Sequence, residues 1–199
     1  MRLSRLFAIS FTSATAMALF GCGNIPEPTP EPAFYRSMAQ PGAKLDVEVA
    51  ASMISGYRRN AGLNPVSVDP VLTQLAEQQA RVMARRDKLD HNAGGPFAQR
   101  MKAGGYVYKV GAENIGAGYH TLAEAFSGWR DSPPHNANML LKGATQMGMA
   151  AVYQPGSKYK VFWALIMAGA DDSANKSVAR VPTMGSAEPA SRRGRKASQ

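Results

Sequence analysis

Cys22 is the only cysteine in 199 residues. One thiol cannot close an internal disulfide, so the fold must be held by its core, and an odd cysteine in an exported chain calls for another use. Acids are also scarce: 14 Asp and Glu face 23 Lys and Arg, a formal charge of +9. No stretch interleaves basic and aromatic residues, so this excess is not a nucleic-acid footprint. No apolar run reaches the roughly 20 residues that a spanning helix needs. The longest, residues 6–20, is short and softened by Ser and Thr. Internal repeats are absent, and so is a nucleophile elbow around any serine.

What the N-terminus does contain is an export pattern. Arg2 and Arg5 precede the apolar stretch, which ends in "LFGC" at Cys22. This resembles a bacterial lipoprotein signal, and the resemblance implies cleavage before Cys22 and lipidation of its sulfur. Acylation makes a chain membrane-anchored without a transmembrane helix. Gly23 gives no inner-membrane retention cue, so the outer membrane or cell surface is the expected location. Residues 1–21 are then the signal. In residues 22–43, Pro26, Pro28, Pro30 and Pro32 alternate with acids and Thr, which favours an extended spacer. Residues 171–199 lose their large apolar side chains and end in "SRRGRKASQ", a basic tail of disordered composition.

The body, residues 44–170, carries the periodic signals. Leu45, Val49, Met53, Ile54 and Tyr57 predict a helix over residues 44–60. Asp69 as N-cap and Pro70 at the first helical position open a second over 70–88. Shorter helices are expected over 96–103 and 121–131, the latter with Thr121 and Glu124 at capping-box spacing. The "SPP" motif stops that helix, and a turn is expected over 135–141. Residues 107–117, "QMGMAAVYQ" and "KYKVFWALIMA" read as strands, the last two as a hairpin. Helices with an antiparallel sheet make an α+β layered domain.

His91 and His135 stand beside turn formers at helix edges, where functional side chains are often presented. Glu113 stands in "GAENIGAG", among residues too small to shield it. Asn114 is expected to bond nearby backbone, Trp129 and Phe126 to be core, Met147, Met149 and Met167 to fill the core, and His120 to be exposed. Asn136 and Asn138 are expected to stabilise the turn at His135, and Ser132 to end a helix.

Four words in series, "YRRNAGLNPVSVDPVLTQLAEQQARVMA", "HNAGGPFAQRMKAGGY", "GAENIGAG" and "WRDSPPHNANML", resemble the CAP superfamily of cysteine-rich secretory, antigen 5 and pathogenesis-related proteins, in its bacterial branch. The resemblance covers about residues 45–168. It implies a three-layer α-β-α sandwich with a central antiparallel sheet, and a cleft where His91, Glu113 and His135 converge. The second acid of eukaryotic relatives is replaced by Ser132, and their disulfides are absent.

Three side chains of these types admit several chemistries. An imidazolium and a carboxylate stabilise each other's charge. Two neutral imidazoles and a carboxylate could instead hold Zn²⁺ with a water. A hydrogen-bonded cluster tying loops over the sheet is the third arrangement. The functions that follow are a membrane-anchored binding module for a small or lipid-like ligand or an envelope component, a hydrolase using activated water at His91, Glu113 and His135, and an envelope scaffold acting through its basic tail. Whether the chain is an enzyme is left open. A monomer with no nucleic-acid partner is expected.

Overall fold

The computed structural model describes residues 30–171. The signal, Cys22, the spacer as far as residue 29 and the tail from residue 172 lie outside the described residues. A 3₁₀ turn at Ala33–Tyr35 leads into α1 (Val47–Asn60), β1 (Ser67–Val68), α2 (Pro70–Arg86), α3 (Phe97–Ala103), β2 (Tyr108–Ala117), α4 (Leu122–Arg130), α5 (Pro133–Met139), β3 (Gln146–Tyr153) and β4 (Val161–Ala170).

β4 explains the architecture. Its apolar run has no side chain suited to water, and every residue from Val161 to Gly169 is buried. Alternate side chains of a strand point to opposite faces, so β4 needs a layer on each side. Val161, Trp163, Leu165 and Met167 join a core with Ile54 of α1, Leu122 and Trp129 of α4, and Met139 of α5. Phe162, Ala164, Ile166 and Ala168 join a second core with Leu72, Leu75 and Met83 of α2 and Met101 of α3. The result is an α-β-α sandwich whose sheet runs in the order β1-β3-β4-β2. Met147 and Met149 fill the first core beside Met167, as expected.

The sheet departs from the expectation in one respect. β2, β3 and β4 pair antiparallel, but the two residues of β1 pair parallel to Gln146 and Met147. Gly148 sets the distance between α2 and the sheet. A Cβ there would lie 2.1 Å from the backbone carbon of Leu72 and nitrogen of Thr73.

Helix boundaries follow the caps. Asp46 accepts from Val49 N at 3.0 Å, so α1 starts at Val47 rather than residue 44. α2 ends at Arg86, because Asp87 turns left-handed at φ 47°. The "SPP" motif both ends α4 and starts α5 at Pro133, two residues before the expected turn, because proline suits a first helical turn. Thr121 and Glu124 form a complete capping box. The spacer is shorter than expected. Met38 is buried in the core, Phe34, Ala39 and Ala43 pack against it, and Met38 N donates to His120 O at 2.6 Å.

Candidate functional site

β2 lies at an edge of the sheet, and there the two helical layers come together around it. Glu113 on β2 turns its side chain into the layer of α2 and α3, and Asn114 turns towards α5. The loop after α2 brings His91 from one side. α5 brings His135 from the other.

Glu113 is the buried centre, with its side chain 3% exposed. Its Oε1 accepts from His91 Nδ1 at 2.9 Å, and its Oε2 accepts from Arg100 Nη2 at 2.6 Å. Arg100, on α3, is buried as well. Its Nε donates to Gly95 O at 3.0 Å, and its guanidinium sits 5.6 Å from the centre of the Phe97 ring. Arg100 Nη1 is buried without a hydrogen-bond partner among the described residues. Gln79 of α2, fully buried, donates to the carbonyls of Asp90 and His91 and accepts from Gly94 N. Its amide fixes the loop from which His91 projects.

The second half is tied to the first through β2. Asn114 Nδ2 donates to His135 O at 2.9 Å, which is the backbone bond expected of it. Asn138 Nδ2 donates to Asn114 Oδ1 at 2.9 Å and to Glu113 O at 3.2 Å. Asn136 Oδ1 accepts from the Tyr57 hydroxyl at 2.9 Å. Both asparagines therefore pin α5 to other elements rather than stabilising their own turn. Ser132 precedes α5 but does not cap it; its Oγ lies 2.8 Å from His135 Nδ1. His120 is exposed, and Trp129 is core, as expected; Phe126 packs against the core partly buried.

Electrostatics divides the two imidazoles. His91 is pushed above its ordinary value, first by the hydrogen bond to Glu113 and against partial burial. His135 is pushed below, by burial and then by the field of His91. The two rings are thus close enough for charge on one to disfavour charge on the other. The setting of His91 thus favours its charged form and that of His135 its neutral form. Glu113 accepts at His91 Nδ1, which leaves the Nε2 edge of that ring free of the carboxylate.

A pH dependence follows, and its sign differs between the two. His91 has a raised folded value, so its contribution to stability is present below about pH 6.5 and is lost as pH rises through that folded value. His135 has a depressed one, so its contribution holds above about pH 6.5 and is lost as pH falls through the folded value. Melting temperatures of wild type, His91→Gln and His135→Gln across this range should show the His91 advantage shrinking with rising pH and the His135 advantage shrinking with falling pH. Ring-proton titrations should place the two midpoints on opposite sides of about 6.5. Coincident midpoints would show that the rings do not differ in environment.

Zinc held by His91, Glu113 and His135 is one of the three expected arrangements. A zinc centre that activates water keeps three protein ligands and one open position. Among the described residues, no group of three or more His, Cys, Asp and Glu is placed to hold a metal ion. The cause is Arg100, which takes one carboxylate oxygen while His91 takes the other. Glu113 is left as an orienting group, and the residues present do not fit a three-ligand zinc site. Two cavities, of about 590 and 560 Å³, are lined by neither His91, Glu113 nor His135; Gln79, Gly94 and Arg100 border the first.

Sequence reading missed Arg100. The one signal was its place beside Met101 and three residues after Phe97, a cation on the apolar side of a short helix.

Comparison with known proteins agrees with this fold. The model of the CAP, cysteine-rich secretory protein, family matches residues 51–167. Protein YkwD of Bacillus subtilis (strain 168), itself uncharacterized, is 33% identical over 103 residues, half of this chain; the chain spans 40% of that relative's length. An outer surface protein of Borrelia burgdorferi shares the fold with a TM-score of 0.57 at 18% identity, over 65% of this chain and 98% of its own. An extracellular SCP-domain protein of Bacillus anthracis does so with a TM-score of 0.53 at 20% identity, over 60% of this chain and 38% of its own.

Proposed function

The chain belongs to the cysteine-rich secretory protein (CAP) family, and from that premise we propose that it is an exported, lipid-anchored binding module. Its ligand is a small or lipid-like envelope molecule bearing an anionic or carbonyl oxygen. Cys22 carries the anchor. The observation that bears most weight is the double engagement of Glu113 by His91 and Arg100. A carboxylate so committed orients and charges His91 instead of taking a proton from water. What it leaves facing outward is the Nε2 edge of His91, with His135 nearby. Neither Nε2 has a hydrogen-bond partner among the described residues. The export pattern, and two fold relatives described as extracellular and outer-surface proteins, support the location.

Native mass spectrometry of the mature chain, extracted from its own envelope, tests this reading. A co-purifying mass is expected, together with loss of that mass in His91→Ala and His135→Ala. A hydrogen bond to a charged group contributes about 1.5–3 kcal/mol, so each variant should bind about 10- to 100-fold more weakly. Equal retention by both variants, or no bound mass in any of them, defeats the proposal. Cys22→Ser should move the chain from the membrane to the soluble fraction.

A second reading rests on the 2.8 Å contact between Ser132 Oγ and His135 Nδ1. A hydroxyl bonded to a neutral imidazole is the first pair of a nucleophile and its base. Ester turnover that disappears in Ser132→Ala while binding persists would favour a hydrolase.

A further inference from the structure

The two edges of the sheet are finished differently. At β2 the outward carbonyls are covered: Glu113 O accepts from Asn138 Nδ2 and Ile115 O from Trp129 Nε1. At β3 the cover stops early. Ser67 N donates to Thr145 O and Asp69 N to Met147 O, so within β3 Met147 turns its carbonyl away from β4. β1 then ends at Val68, and the chain leaves in α2. By alternation, Met149, Ala151 and Tyr153 continue the outward row. Met149 is enclosed, so Ala151 and Tyr153 are the accessible part of it, and among the described residues neither has a backbone partner on that side.

This stretch of edge lines a groove of about 560 Å³. Residues 40–45 form one wall, and Thr73, Glu77 and Arg81 of α2 another. A volume of that order suits a ligand cleft. Natural sheets blunt free edges with charge, proline or a covering segment. Here the edge residues Met149–Tyr153 hold neither charge nor proline. Arg81 is paired with Glu77, while Lys44 on the rim is exposed and has no ion-pair partner among the described residues.

We infer that the β3 edge is a strand-addition site for an extended peptide segment of another protein, carrying an acidic residue opposite Lys44. Donors and acceptors repeating every second residue match another extended backbone. A small molecule would meet only one pair of them. The walls also discriminate. A second copy would present the same recessed edge behind its own residues 40–45, whereas a single strand enters between the walls. Backbone bonds give such a site its affinity, and side-chain pockets give its selectivity. The site is separate from His91 and His135 and does not depend on their function.

The test uses the mature chain and two capped hexapeptides alternating Thr and Val around one Glu. One is unmodified, and one is N-methylated on the residues that would face β3. Amide exchange in the free protein should be fast at Ala151 and Tyr153 and slow at Ala150 and Val152. The unmodified peptide should slow the odd amides by at least about tenfold and leave the even ones unchanged. The methylated peptide should do nothing, and Ala151→Pro should abolish the effect while the fold persists, because its lost N–H faces away from β4. Should Ala151→Pro unfold, the methylated peptide still decides. Slow odd amides in the free monomer, equal effects of the two peptides, or no response at millimolar unmodified peptide would each overturn the inference. Protection that depends on protein concentration alone would assign the edge to self-association and overturn it as well.

Discussion

Arg100→Met should cost about 3–5 kcal/mol, the usual penalty for leaving a buried charge without its partner. For a domain of this size that lowers the melting temperature by about 10–15 °C. The reason is local. Glu113 is almost wholly enclosed, and its remaining partner, His91, is more than half exposed and cannot neutralise it alone. Arg100→Lys keeps charge but lacks the fork that joins Gly95 O to Glu113, so it should fall between. Combining Arg100→Met with Glu113→Leu should recover much of the loss, because the stranded carboxylate is gone. A readout of charge separates this from packing: Arg100 presses the His91 value downward, so its removal should raise the His91 titration midpoint further. A cost below about 1 kcal/mol, the range of exposed ion pairs, would show that the pair is not buried in solution.

Arg58→Met is the second large effect. Arg58 of α1 is 1% exposed and has no carboxylate partner among the described residues. Its guanidinium donates to Asn64 O, Met139 O, Leu141 O and Ala144 O at 2.9–3.0 Å. Met139 O is the last carbonyl of α5, which a helix cannot satisfy itself and where a cation is favoured. The bonds to Met139 O and Ala144 O are buried, and each buried carbonyl left alone costs about 1–3 kcal/mol, so the substitution should cost about 2–6 kcal/mol. α5 carries His135, so faster amide exchange at Leu140 and Leu141 should accompany a broadened His135 signal. Retention of the wild-type melting temperature would refute the role.

Most of the element map was legible, because caps and periodicities are local. Asp46, Asp69 and the Thr121–Glu124 pair mark helix starts by chemistry that acts within three residues. The unbroken apolar run of β4 announces a strand buried on both faces. Parallel β1 was not legible. Two residues are too few for any period, and their strand character comes from Gln146 and Met147 alone. The packing of Phe34 and Met38 was hidden for a similar reason, since a proline-rich approach does not show where docking begins.

The site was half legible. Small neighbours around Glu113 were read as leaving its carboxylate open to a shared cleft. The structure instead buries it, because β2 passes beneath α3 and Arg100 reaches it from thirteen residues away. No local rule links those two positions. A buried arginine is too costly to expect unless its partner is already known.

By itself, the sequence determined the helices, the hairpin, the family and the identity of the polar residues, since caps, periods and short words act over a few residues. Tertiary structure alone decided that Glu113 is enclosed between His91 and Arg100, that the two imidazoles are shifted in opposite directions, and that β1 covers only the first residues of β3. Those outcomes depend on burial and on distances between segments far apart in the chain, and both exist only once the layers have packed.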